Sequence, residues 1–125
     1  MADTTLPPGS RRRRRTLAGM RALVTGGSSG VGRAVACELS RRGARVLVTA
    51  RRQERLAELA AEESEVPIDH EAGDLCDPVF RAKLIGHTVD RLGGLDLVVA
   101  AAGGGAIGPF ESADANTFAR ILDLN

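Results

Sequence analysis

The segment Thr25-Gly26-Gly27-Ser28-Ser29-Gly30-Val31-Gly32 carries the residue types that a bound phosphate requires. An anionic diphosphate is held by bare backbone N–H groups at the positive end of a helix dipole, and side chains at the closest positions would block its approach. Gly26 permits a sharp turn, Gly30 lets backbone approach phosphate, and Gly32 lets the following helix pack close to its strand. The spacing is Gly-x-x-x-Gly-x-Gly, not the Gly-x-Gly-x-x-Gly of the common dinucleotide fingerprint. Glycines also build purely structural turns. The turn gains meaning from its context, after a first strand and at the opening of a first helix.

A second position bears on the same chemistry. Proteins of this type that take NAD place an acid at the end of the second strand, where it accepts from the adenosine ribose 2′-OH. Here that position is Ala50, followed by Arg51 and Arg52. A carboxylate would repel a 2′-phosphate, whereas a guanidinium grips one with paired hydrogen bonds. Ser28 and Ser29 add hydroxyls within the turn. The competing reading is that Arg51 and Arg52 merely begin a solvated helix. The missing acid favours NADP(H), with NAD(H) as the alternative.

Other reactive side chains carry less. Cys37 and Cys76 fit neither a metal spacing nor a disulfide framework, and His70 and His87 stand apart from each other, so no metal site is expected. Glu62, Glu63 and Asp114 read as surface or first-turn charge on helices.

The elements that must position these residues alternate cleanly. Ala22 to Thr25 is a short apolar strand. Val31, Val35 and Leu39, with Ala34 beside them, give a first helix that ends at Gly43. Arg45 to Ala50 is a second strand, and Gln53 to about Glu63 a helix with Leu56, Leu59 and Ala60 inward. Ile68 to Glu71 make a weak third strand leading to Gly73-Asp74-Leu75. Asp77-Pro78 then opens a third helix bearing Phe80, Leu84, Ile85 and Leu92. Leu95 to Ala102 reads as a parallel strand covered on both faces. After Gly103-Gly104-Gly105 comes a fourth helix from about Ala113 to Asn125. On it Phe118, Leu122 and Asn125 fall at i, i+4 and i+7, which directs Asn125 toward the buried face. The β-α-β-α-β-α-β-α order predicts a parallel α/β sheet with right-handed crossovers.

Composition agrees with one ordinary domain: 43% hydrophobic, 26% charged, net charge +1. Residues 1–19 read as a disordered leader containing Arg11 to Arg15, and residues 20–125 as the domain. Five adjacent arginines are a candidate contact for nucleic acid or an anionic membrane. Without them the net charge falls from +1 to −4, which argues against a broad nucleic-acid surface. No apolar run approaches the ~20 residues of a membrane span. A cytoplasmic location with reduced thiols is expected, without membrane or nucleic-acid partners.

The glycine octet resembles the cofactor loop of the short-chain dehydrogenases/reductases, Thr-Gly-x-x-x-Gly-x-Gly. Asp74-Leu75 is similar to the family's Asp-Leu, where carboxylate and adjacent backbone hold the adenine. Ala100-Ala101-Ala102-Gly103 lies where the family often has Asn-Asn-Ala-Gly; both asparagines are alanine here, which removes a strand-stabilising hydrogen bond. Asn125 matches the asparagine of the family's Asn-Ser-Tyr-Lys catalytic set.

The resemblance covers about Met20 to Asn125. It implies a Rossmann-type doubly wound parallel sheet, cut after the fourth strand and its helix. It also implies hydride transfer between nicotinamide and a small-molecule carbonyl or alcohol substrate, and a homo-oligomer when complete. Gly26, Ser28, Ser29, Gly30, Val31, Gly32, Arg51, Arg52, Asp74, Leu75, Ala101, Ala102 and Gly103 are the expected cofactor residues, and Asn125 the catalytic one. The chain has no tyrosine, and its only lysine, Lys83, belongs to the third helix. The family's proton-transfer apparatus is therefore missing, so the 125 residues are expected to be inactive alone. Val98 and Val99 are expected on an exposed sheet edge. The alternatives are a non-catalytic nucleotide-binding module, an inactive truncated product, and a nucleic-acid-associated protein using the arginine run.

Overall fold

Alternation along the strands decides how this chain buries itself. In the computed structural model, which describes residues 15–62, 66–104 and 108–125, the strands are β1 (Arg21–Thr25), β2 (Arg45–Ala50), β3 (Ile68–Ala72) and β4 (Leu97–Ala100). Helices α1 (Gly30–Arg41), α2 (Gln53–Ala61), α3 (Pro78–Leu92) and α4 (Ala115–Leu124) follow them in turn, with a short 3-10 turn at Phe110–Ser112. Successive strand residues point to opposite faces. Ala22, Val24, Val46 and Val48 pack with Ala36 and Leu39 of α1 and Leu56 and Leu59 of α2. Leu23 and Leu47 point the other way, against Leu84 and Leu92 of α3. Helices thus cover both faces of the sheet at β1 and β2.

All pairings are parallel, in the order β3-β2-β1-β4. The register sets Thr25 beside both Thr49 and Ala100, and Ala50 beside Ala72, so the strands' carboxyl ends share one edge. After β3 the chain crosses to the far side of β1. The loops leaving β1 and β4 therefore diverge and open a crevice, the place where open α/β sheets hold ligands. At the opposite edge, Arg21 grips Asp96 with Nε–Oδ2 at 2.8 Å and Nη2–Oδ1 at 2.9 Å, tying β1 to the approach of β4.

Several sequence expectations need correction. Val31 is 74% exposed and Ala34 is exposed; the inward row of α1 is Gly32, Ala36, Leu39 and Ser40. On α3 the inward row is Leu84, Thr88 and Leu92, which turns Ile85 outward. Helix α2 ends at Ala61, and Glu63 lies outside the described residues, as do the leader up to Arg14 and Gly105. β4 is shorter than the expected run and is not covered on both faces. Leu97 and Val99 join the α1–α2 side of the core, while Val98 is 52% exposed, because α3 covers β1 and β2 rather than this edge. Both valines lie on the sheet edge as expected, since β4 is the last strand in the order, but only Val98 turns its side chain outward.

Helix α4 departs furthest from expectation. None of its residues is buried; Phe118 and Leu122 are exposed, and the half-buried side is Ile121 and Leu124.

Candidate functional site

At the carboxyl edge of the sheet lies a cleft of about 300 Å³. The β1–α1 turn supplies Gly26, Ser28, Ser29, Val31 and Gly32. The end of β2 supplies Ala50, Arg51 and Arg52, and the end of β3 Gly73, Asp74 and Leu75. Ala101, Ala102 and Gly103 follow β4, and Arg120 and Leu124 reach in from α4. One cleft therefore gathers every expected cofactor residue except Gly30, which sits between Ser29 and Val31 as the first residue of α1.

The turn is shaped by what its glycines omit. Gly26 has φ +67°, and a Cβ there would lie 2.7 Å from the Ala101 carbonyl and from Ala102 backbone atoms. A Cβ on Gly32 would overlap the Gly26 carbonyl, so α1 could not seat on the turn. Gly30 has φ +58°, with open space where its Cβ would stand. Its glycine serves the left-handed backbone and an unobstructed approach rather than internal packing. Ser29 is the N-cap of α1 but makes no side-chain cap bond, and the first turn holds no acid. The first N–H groups of α1 are thus left without the side-chain partner that usually satisfies them.

Thr25 joins the turn to the end of β4: its Oγ1 accepts from Ala102 N at 3.2 Å. That bond anchors the segment in which alanines stand for asparagines. Asn125 fixes the same segment from below. Its amide accepts from Gly104 N at 3.3 Å and donates to Gly104 O at 2.9 Å and Ile121 O at 2.7 Å. A Cβ at Gly103 would stand 2.8 Å from Asn125 Oδ1, so the glycine makes room for the clasp. Asn125 is exposed rather than buried with Phe118 and Leu122, and it finds its polar partners in the loop.

Charge on the cleft is divided. Arg51 and Arg52 are exposed and pair with no described carboxylate. Asp74 is held by Arg120, Nη2–Oδ2 at 2.8 Å, and by Cys76 N to Oδ1 at 2.9 Å. These bonds, the Arg120 one foremost, lower the Asp74 pKa and keep it ionised. Burial first, and then the neighbouring Asp74 charge, push the Cys76 thiol up, so Cys76 is not an activated nucleophile. His70 faces Gln53 and His87 faces Glu71, away from the cleft.

Ala50 is the position where the sequence shows the missing acid; Gly73, Arg120 and Leu124 were not anticipated, and Gly73 is one residue from the anticipated Asp74. Arg120 and Leu124 are four apart on α4, and that spacing with Asn125 in the site was the available signal.

A family model described as short chain dehydrogenase matches residues 20–125. The chain belongs to the short-chain dehydrogenase family. Within that family, 3-ketodihydrosphingosine reductase of Bos taurus is 31% identical over 116 residues, 87% of this chain and 35% of the relative. Versicolorin reductase 1 of Aspergillus parasiticus is 34% identical over 115 residues, 87% of this chain and 43% of the relative. A short chain dehydrogenase from Burkholderia cenocepacia, solved in complex with NADP, superimposes with a TM-score of 0.81 at 32% identity, covering 88% of this chain and 46% of that one. This short-chain dehydrogenase chain spans less than half the length of each. Among the described residues no helix is long and apolar enough to cross a membrane.

Proposed function

We propose that this chain is the cofactor-binding part of an NADP(H)-dependent oxidoreductase acting on a small carbonyl or alcohol substrate. The observation that carries the reading is that an α1 N-terminus without a side-chain cap shares one cleft with Arg51 and Arg52, which have no carboxylate partner among the described residues. The residues present fit a dinucleotide phosphate. Bare N–H groups and the helix dipole suit the diphosphate, and open space at Gly30 leaves its approach free. Arg51, with Arg52 beside it, would hold the 2′-phosphate, with Ser28 and Ser29 contributing hydroxyls. Asp74 and Leu75 would hold the base, and Ala101, Ala102 and Gly103 the surface beneath the ribose.

Bound there, the nicotinamide would supply hydride chemistry. The chain's own residues bind and orient: the glycine turn fixes the diphosphate, and Asn125 acts as a positioning residue that clasps Gly104. With no tyrosine and Lys83 on α3, outside the cleft, a polypeptide of these 125 residues binds without turning substrate over.

The test is calorimetric titration of NADPH and NADH into the chain and into an Ala50→Asp/Arg51→Ala variant. NADPH binds more tightly to the parent, and the variant shifts the ratio of dissociation constants toward NADH by ~10-fold or more, the scale of a hydrogen bond to a charged group. An unchanged ratio removes Arg51 from the site.

A further inference from the structure

Among the described residues, Asp74 is the one carboxylate on the cleft wall. Both of its oxygens are engaged from within the fold, Oδ1 by Cys76 N and Oδ2 by the Arg120 guanidinium. Two oxygens with two lone pairs each offer about four acceptor sites, more than these bonds use, so the carboxylate can still accept from a ligand. The side chains of Arg120 and Asp74 are 45% and 38% exposed, and ion pairs so open to water contribute little to folding. The consequence of this one is geometric. A guanidinium is a planar fork of donors that fixes its partner's plane, and α4 delivers it across 46 residues of chain.

The sheet order supplies the direction. Arg51 follows β2 and Asp74 follows β3, and the two strands are neighbours with Ala50 in register with Ala72. With a nucleoside 2′-phosphate at Arg51, the base of the same nucleoside falls toward the β3 side. An acceptor-only carboxylate there pairs with an exocyclic amine and is repelled by a carbonyl oxygen.

The geometry points to Arg120 as a positioning residue that sets the base selectivity of the nucleotide site, by holding Asp74 ready for the amino group of adenine. The inference rests on the dinucleotide reading of the cleft. Holding an acceptor in place before the ligand arrives removes the ordering cost from binding, and that benefit goes to the base with an amino group at the exocyclic position, where hypoxanthine has a carbonyl oxygen and can donate only from its ring N–H.

Base discrimination tests this without any catalytic readout. The parent chain, Arg120→Met and Arg120→Lys are titrated with NADP and with its deaminated counterpart, nicotinamide hypoxanthine dinucleotide phosphate. Far-UV circular dichroism checks that each variant keeps its fold. In the parent, adenine is preferred by ~10-fold or more, as expected for one hydrogen bond to a charged group. Arg120→Met brings the ratio close to parity, and Arg120→Lys, which keeps the charge without the fork, recovers part of it. Should Arg120→Met not fold, the ratio in Arg120→Lys decides: a value below the parent's supports the assignment and an equal one overturns it. Binding of both dinucleotides with the parent ratio preserved in Arg120→Met overturns the role of Arg120 and leaves the cleft reading intact. Failure of the parent to bind either dinucleotide overturns the cleft reading, and this inference with it.

Discussion

Asp96, which is exposed, and Asp74, which is half-buried, are both gripped by arginines, and they do different things. Asp96 accepts three bonds from Arg21, from Nε, Nη2 and the backbone N, and its pKa falls from 3.8 to about 2. Because the folded value lies below the unfolded one, this clamp stabilises the fold fully above pH 3.8 and is lost as pH falls through about 2. Asp96→Asn therefore melts at a lower temperature than the parent at neutral pH. The gap closes as pH is lowered through that window; a gap independent of pH would mean the clamp is not electrostatic. Asp74 sits on the cleft and was expected there from the resemblance of Asp74-Leu75 to the family's Asp-Leu. Its partner Arg120 was not, because an arginine on an exposed helix looks like any solvated charge until the fold brings it 2.8 Å from a carboxylate.

Two helices show why some elements could be read and others could not. α1 was legible from its glycine turn and its stop at Gly43, and of its expected inward row Leu39 is buried and Val35 packs against the core, while Val31 does not. Val31, Val35 and Leu39 share a stripe, but the end of the helix that faces the cleft cannot also face the core, so Val31 is left exposed. In α4 the stripe Phe118, Leu122 and Asn125 suggested burial that the structure does not show. The helix attaches through polar contacts instead, Arg120 to Asp74 and Asn125 to Gly104. Periodicity reports where apolar residues line up, and it cannot report whether anything covers them. Removing one attachment should loosen the whole helix. Asn125→Ala is expected to lower stability by about 1 kcal/mol and to speed amide exchange along α4 while β2 stays protected. Equal exchange in the two proteins would show that α4 is held by other means.

At the scale of the molecule, parallel pairing follows from alternating strands and helices, whereas the switch between β1 and β4, and with it the position of the cleft, was implied by the family resemblance and not by the alternation. The edge at β4 could be foreseen only in part, because which of two adjacent valines faces out depends on register. The chain places the glycine turn, Arg51, Arg52 and Asp74 around one cleft, with no tyrosine anywhere in the sequence. Binding and turnover should therefore separate. NADPH absorbance followed with a panel of aldehydes and ketones stays at the buffer rate, and turnover that copurifies with the chain would require a proton donor other than tyrosine.

The central claim is that the β1–α1 turn holds a dinucleotide, and Gly30 tests it most directly. Its φ of +58° strains any side chain, by ~1–2 kcal/mol for one residue, and a branched Cβ would fill the open space beside the turn. Calorimetric titration of NADPH into the parent and into Gly30→Val, with far-UV circular dichroism on both, is the measurement. The account predicts one NADPH per chain for the parent, and no measurable binding by a variant that keeps its helix and strand content. Parental affinity in a folded Gly30→Val variant, or no binding by the parent itself, would contradict it.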